Sequence, residues 1–265
     1  MTRILLRWLG GQGGDTIVSL ISFNKQVYSN IRVLNELSDT GQSMVETLLD
    51  QRYPSINKHY FYHPKVDPDT VANDIKRLSD DHESFLLKSH LYDRRLDEKV
   101  CNIVHVIDIG YSLEFLPFVV RTNLAKTPTL ERSTDPDTTH FDETLLKISH
   151  KLSDNQKQSL VKWNVVKHAL EMHRRFDLGS KELNTQDIFY DTNKIIRFLE
   201  SKGLTTVINK DHLDKWKEVN KKFLPSENYV GCIKNANYDF SDRSMDSTER
   251  YSLLALSGKN FQFLD

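Results

Sequence analysis

The 265-residue sequence has two cysteines, Cys101 and Cys232, and no C-x-x-C pair. That argues against a disulfide scaffold and against a cysteine zinc site. No apolar run approaches the roughly 20 residues that span a bilayer. The opening MTRILLRWLGG is too short and too early broken to read as a signal peptide. Net charge is almost absent: 36 Lys and Arg stand against 37 Asp and Glu, giving −1. Such a balance leaves no electrostatic footprint for duplex nucleic acid or an acidic membrane surface. A cytoplasmic protein with neither of those partners is expected. Internal repeats and low-complexity tracts are missing, and the length favours one domain spanning 1–265. Two nucleotide-binding motifs, G-x-x-x-x-G-K-[ST] and G-x-G-x-x-G, are also absent.

What the sequence does have is a glycine cluster between two apolar runs. TRILLRWLG reads as a buried first strand and DTIVSLISFNKQVYS as a helix, with apolar positions at Ile17, Leu20, Ile21 and Phe23. Asp15 or Thr16 is the expected N-cap. Between them, GGQGGDT offers glycines that let several backbone N–H groups face one anion, and Thr16 adds a hydroxyl. The alternative is a tight strand–helix turn with no ligand.

Further strands are expected in ESFLLKSHLYD and KVCNIVHVIDIG, the latter dense in β-branched residues, with Cys101 a buried thiol in that run. Helices are expected in SMVETLLDQRY, after Asp69 as a cap, in YSLEFLPFVVRTNLAK, and in DNQKQSLVKWNVVKHALEMHRRFDLG, which Gly179 would end. LNTQDIFYDTNKIIRFLESKGL gives a short strand and a helix closed by Gly203, and DHLDKWKEVNKKFL a last helix. The polar stretch 127–144 reads as a surface loop or lid. Alternating strands and helices predict an α/β protein: a three-layer αβα arrangement around a mainly parallel sheet. In such sheets ligands sit beyond the carboxyl ends of the strands.

Both the glycine loop and Lys88-Ser89-His90 fall on that edge. Lys88 and His90 lie two residues apart, so their side chains leave one face. A histidine there can accept a proton from a hydroxyl or amine, and a neighbouring lysine can neutralise charge on a transferring group. The bland reading is a solvated strand end. His173-Arg174-Arg175, Arg94 and Arg95 read as solvated helix faces, and Trp163 and Trp216 as core residues.

Taken together these stretches resemble the sulfotransferase superfamily, whose first signature, P-K-S-G-T-T-W, follows strand one. Here the matching stretch is GQGGDTI, with Gln12 standing where the family has a lysine. KSHL, Lys88 to Leu91, resembles the second signature, K-T-H-L, whose histidine is the general base. F-L-x-x-x-G after the late strand and the tryptophan of HLDKWKEVN are similar to later family features. Two family features are missing: Asp108 stands near the arginine that ends the third strand, and no late R-K-G occurs.

The resemblance implies a P-loop nucleoside-triphosphate-hydrolase-like fold. It also implies 3′-phosphoadenosine 5′-phosphosulfate (PAPS) as donor, no metal, and a small-molecule hydroxyl or amine as acceptor. His90 and Lys88 would be catalytic. Gly11, Gln12, Gly13, Gly14, Asp15, Thr16, Ser112 and Arg121 would contact the donor. Two alternatives stay open. LGGQGGD and HRRFD also resemble elements of a fucosyltransferase family that uses a nucleotide sugar, and a degenerate P-loop fold can serve as a non-catalytic interaction module.

Overall fold

A computed structural model describes residues 2–22, 27–38, 41, 43–58, 67–126 and 151–264. The expected lid at 127–144 and the helical position Phe23 lie outside the described residues. The chain forms two compact units: residues 1–9, 13–110 and 181–219 make the first, and residues 10–12, 111–180 and 220–265 the second.

The first unit is α/β, built on a five-stranded sheet among the described residues. Its strands are β1 (Arg3–Arg7), β2 (Tyr28–Ser29), β5 (Phe85–Ser89), β6 (His105–Gly110) and β7 (Leu183–Asn184), in the order β2-β5-β1-β6-β7. Every pairing in it is parallel, with Leu5 in register with Leu87 on one side and Val106 on the other. This sheet is compatible with the expected three-layer arrangement. Strand β1 is central; its onward connection runs toward β2 and that of β6 toward β7. The topological switch point therefore lies at the carboxyl end of β1, where the glycine loop begins.

The face of the sheet that carries Leu5, Phe85 and Leu87 packs on helices Pro68–Asp81 and Arg94–Val100 through Val71, Ile75, Leu78, Leu96 and Val100. Asp67, not Asp69, caps the first of these helices, its carboxylate accepting from the Asp69 and Thr70 amides. Pro68 has no N–H to satisfy and so suits the first helical position, which moves the cap one residue before it.

Three further expectations fail in this unit. The helix after the glycine loop, α1 (Gly14–Val18), has only five residues and is capped by Gly13, with no side-chain cap. Ile21 is instead drawn into a bridge with Thr206, and Val207 N donates to Leu20 O at 2.8 Å. The apolar spacing is real, but Ile21 is buried by extended pairing rather than by a helix. SMVETLLDQRY is not a helix at its start: β4 (Ser43–Thr47) pairs antiparallel with β3 (Ile31–Leu37). Along β4, burial alternates with period two, the mark of a strand with one covered face. Cys101 is exposed, in the turn that follows helix Arg94–Val100, because β6 begins only at His105.

In the second unit, helices Leu116–Lys126, Asp154–Arg175 and Ser247–Leu256 pack together. Asp154–Arg175 starts with a Ser153–Gln156 capping box. It stops at Arg175 with Phe176 as its C-cap, and the left-handed residue that follows is Asp177, at φ 50, rather than Gly179. Aspartate tolerates the left-handed region better than most residues, and Gly179 falls in the following 3-10 turn.

Candidate functional site

The edge of the sheet is organised around Trp8, the residue after β1. Side chains alternate along a strand, so Trp8 shares a face with Lys88 and His90 while Arg7 points to the other. The Trp8 ring is almost fully buried and lies against Gly14: a Cβ there would sit 2.1 Å from the indole Cδ2. Helix α1 can start beside the indole only because its first residue has no side chain.

Gly11 is constrained in a different way, within the second unit. It has φ +90, and a Cβ would meet Val119 O at 2.3 Å and Thr122 Oγ1 at 2.6 Å. The Thr122 hydroxyl donates to Gly11 O at 2.7 Å. Close packing thus accounts for two of the glycines without any ligand. Gly11→Ala is expected to destabilise the protein by about 2–4 kcal/mol, from strain at positive φ together with overpacking. Chemical denaturation measures this, and a loss below about 0.5 kcal/mol would contradict the packing.

The loop's polar groups are turned inward. Thr16 N and Ile17 N both donate to Gly13 O, at 3.0 and 3.1 Å. The buried Thr16 hydroxyl shares a hydrogen bond with Ser43 Oγ at 2.8 Å, and Ser43 Oγ lies 2.9 Å from His212 Nε2. Sequence reading did not single out Ser43 or His212. They lie 169 residues apart, and in HLDKWKEVN it is the tryptophan, not His212, that draws attention.

Lys88 and His90 do converge. Lys88 is buried, its Nζ donates to Asp15 Oδ1 at 2.6 Å, and it stands 4.7 Å from the centroid of the Trp8 ring. Burial pushes the ammonium below its ordinary value, and the Asp15 carboxylate pulls it partly back. Asn30 pins the strand at this point: Lys88 N donates to Asn30 Oδ1 at 2.9 Å, and Asn30 Nδ2 returns a bond to Lys88 O at 3.1 Å. This buried residue was another the sequence reading passed over.

His90 is half-buried and packs edge-on to Trp8, with ring centroids 5.4 Å apart. Its Nδ1 is 2.5 Å from Trp8 O. A carbonyl only accepts, so Nδ1 carries the proton, and in the neutral ring Nε2 is the basic nitrogen. The backbone of β1 therefore sets the histidine's tautomer.

On the opposite face, Arg7 binds two carboxylates. Its Nε and a terminal nitrogen donate to Asp108 at 2.7 and 3.1 Å, and another pair of bonds reaches Asp97 at 2.6 and 3.3 Å. Tyr92 lies under the guanidinium and Lys181 approaches Asp108 at 3.4 Å. Those partners hold the Arg7 guanidinium above its ordinary value despite its burial. Asp108, which stands near the position of the family's arginine, has a structural partner here.

The remaining candidates belong to the second unit. Gln12 is fully buried, and Ser112 begins the 3-10 turn Leu113–Phe115. Arg121 pairs with Asp246 and Glu249, both at 2.8 Å, and donates to Phe223 O and Leu224 O. The first unit thus gathers Asp15, Lys88 and His90 around Trp8, with Gly13, Gly14 and Thr16 in the adjoining turn. Among the described residues, no helix is long and apolar enough to cross a membrane.

Comparison with protein-family models, curated proteins and solved structures finds no match to this chain.

Proposed function

We propose that this chain is a PAPS-dependent sulfotransferase of P-loop-like fold, acting in the cytoplasm on a small-molecule hydroxyl or amine. One observation carries the reading: Lys88 and His90 meet on one face at the carboxyl edge of a parallel sheet, beside a glycine loop at the switch point. His90 Nε2 takes the proton of the acceptor as its oxygen or nitrogen attacks sulfur. A new bond to sulfur forms while the bond from sulfur to the 5′-phosphate oxygen breaks, releasing adenosine 3′,5′-bisphosphate. Lys88 neutralises charge on the transferring group, at a position where burial strengthens its field. The reading rests on these two residues and not on Arg121, whose guanidinium is held by Asp246 and Glu249.

A second reading, a non-catalytic module of the same fold, is favoured by the Lys88–Asp15 pair, which already satisfies the cation that an anionic donor needs. A ligand screen separates the readings. Adenosine 3′,5′-bisphosphate at 100 times its Kd is expected to add about 2.7 kcal/mol of stability by linkage, a rise in Tm of roughly 5–10 °C. A shift with a nucleotide sugar alone would transfer the case to a glycosyltransferase. No shift with either, up to millimolar ligand, would leave the non-catalytic module.

A further inference from the structure

Thr16, Ser43 and His212 form a buried chain of hydrogen bonds that takes no part in the proton transfer proposed above. They come from three separate pieces of the first unit: α1, strand β4 and the helix Lys210–Asn220. Ser43 Oγ is the middle member, 2.8 Å from Thr16 Oγ1 and 2.9 Å from His212 Nε2. A hydroxyl has one proton to give. With a lone pair on Nε2, Thr16 donates to Ser43 and Ser43 donates to His212, and both hydroxyl protons have acceptors. With a proton on Nε2, the imidazole donates to Ser43, and one of the two hydroxyl protons is left over. Neither hydroxyl makes another hydrogen bond among the described residues, and both residues are buried. A buried donor with nothing to donate to is costly.

Two further features keep positive charge off this ring. His212 is 6% exposed, and burial disfavours the charged form. It also lies in the first turn of its helix, where unpaired N–H groups disfavour a cation, and its own amide donates to Asn209 Oδ1 at 3.1 Å. His212 borders a groove of about 510 Å³, lined also by Glu36 of β3 and by Asp211 and Lys215 of its own helix. The two carboxylates favour an imidazolium and the ammonium opposes it, so a charged ring finds water and counter-ions only by turning out toward the groove. On α1 the nearest charge is Asp15, held by Lys88, and on β4 Glu46 pairs with Arg32. We infer that His212 is an acid-sensitive latch: when neutral it ties α1 and the β3–β4 hairpin to helix Lys210–Asn220, and on taking a proton at Nε2 it releases them. The segment released begins at Gly13 and Gly14, so acid loosens the glycine loop itself.

Nuclear magnetic resonance of the chain labelled with ¹⁵N in its histidines reads the ring nitrogens directly. At about pH 7.5, His212 Nε2 is expected to carry no proton and Nδ1 to carry one. Amide hydrogen exchange, corrected for the intrinsic effect of pH, is expected to quicken about tenfold or more in residues 14–20 and 43–47 between about pH 7.5 and 5.5. Helix Pro68–Asp81 should hold steady over the same range. His212→Gln keeps a carbonyl that accepts from Ser43 but does not titrate, so its exchange should no longer respond to acid. His90→Gln should respond as the parent does, and a flat response there would assign the switch to His90 instead. A proton on Nε2 at neutral pH, a parent that does not respond to acid, or a response that His212→Gln retains would each overturn the latch. The first two are read on the parent chain and hold even where the variant fails to fold.

Discussion

Replacing Arg7 by alanine is expected to remove about 3–5 kcal/mol of stability, the range found when one partner of a buried ion cluster is deleted. The side chain is 2% exposed and makes four hydrogen bonds to Asp97 and Asp108. Truncation leaves two carboxylates facing each other beneath the central strand. Lys181, at 3.4 Å from Asp108, can offset part of that repulsion, which places the expected loss toward the lower end. Arg7→Met combined with Asp108→Leu should recover much of the stability, since replacing a buried pair by apolar groups is often neutral. Urea unfolding of the two variants decides the matter. If the single variant loses less than about 1 kcal/mol, the cluster is not a stabilising element.

The second large effect concerns chemistry. His90→Gln is expected to lower kcat for sulfuryl transfer by about 10²–10⁴-fold, the usual contribution of a positioned general base. The thermal shift produced by adenosine 3′,5′-bisphosphate should survive, because in the proposed reaction His90 takes the proton of the acceptor and does not hold the bisphosphate. Release of the bisphosphate from PAPS, followed with a pool of small hydroxyl and amine acceptors, gives the rate. Turnover within threefold of the parent would remove His90 from the base role. A lost thermal shift with turnover retained at saturating donor would recast it as a binding residue.

Much of the scaffold was legible because its signals are local. The first strand, the strands around Lys88 and Ile107, and the long helix after Ser153 each announce themselves by period, caps or β-branched density. The convergence of Lys88 and His90 was also readable, from strand alternation alone. What the sequence concealed is non-local. The β3–β4 hairpin was hidden because Met44, Val45, Leu48 and Leu49 also fit a helical period, and only pairing with Ile31–Leu37 decides between the two. The extent of α1 was set by Thr205–Val207, almost two hundred residues away. Asp15 offers the clearest lesson. As a residue in a glycine loop it reads as a helix cap, yet its carboxylate reaches across to Lys88 on β5.

That ion pair fixes how any anion would enter this corner. Lys88 is 3% exposed and its Nζ is engaged at 2.6 Å, so occupancy proceeds by exchange rather than by addition. On the proposed function an arriving sulfate or phosphate must displace a carboxylate that is tethered in place and so competes at high effective concentration. On the proposed function the corner would discriminate by charge. A monoanion merely trades equal charge with Asp15, while a group of higher charge gains from the swap. On the proposed function departure would be assisted as well, since the Asp15 carboxylate would close again on Lys88. On that reading the contact that ties α1 to β5 would also act as a spring for turnover.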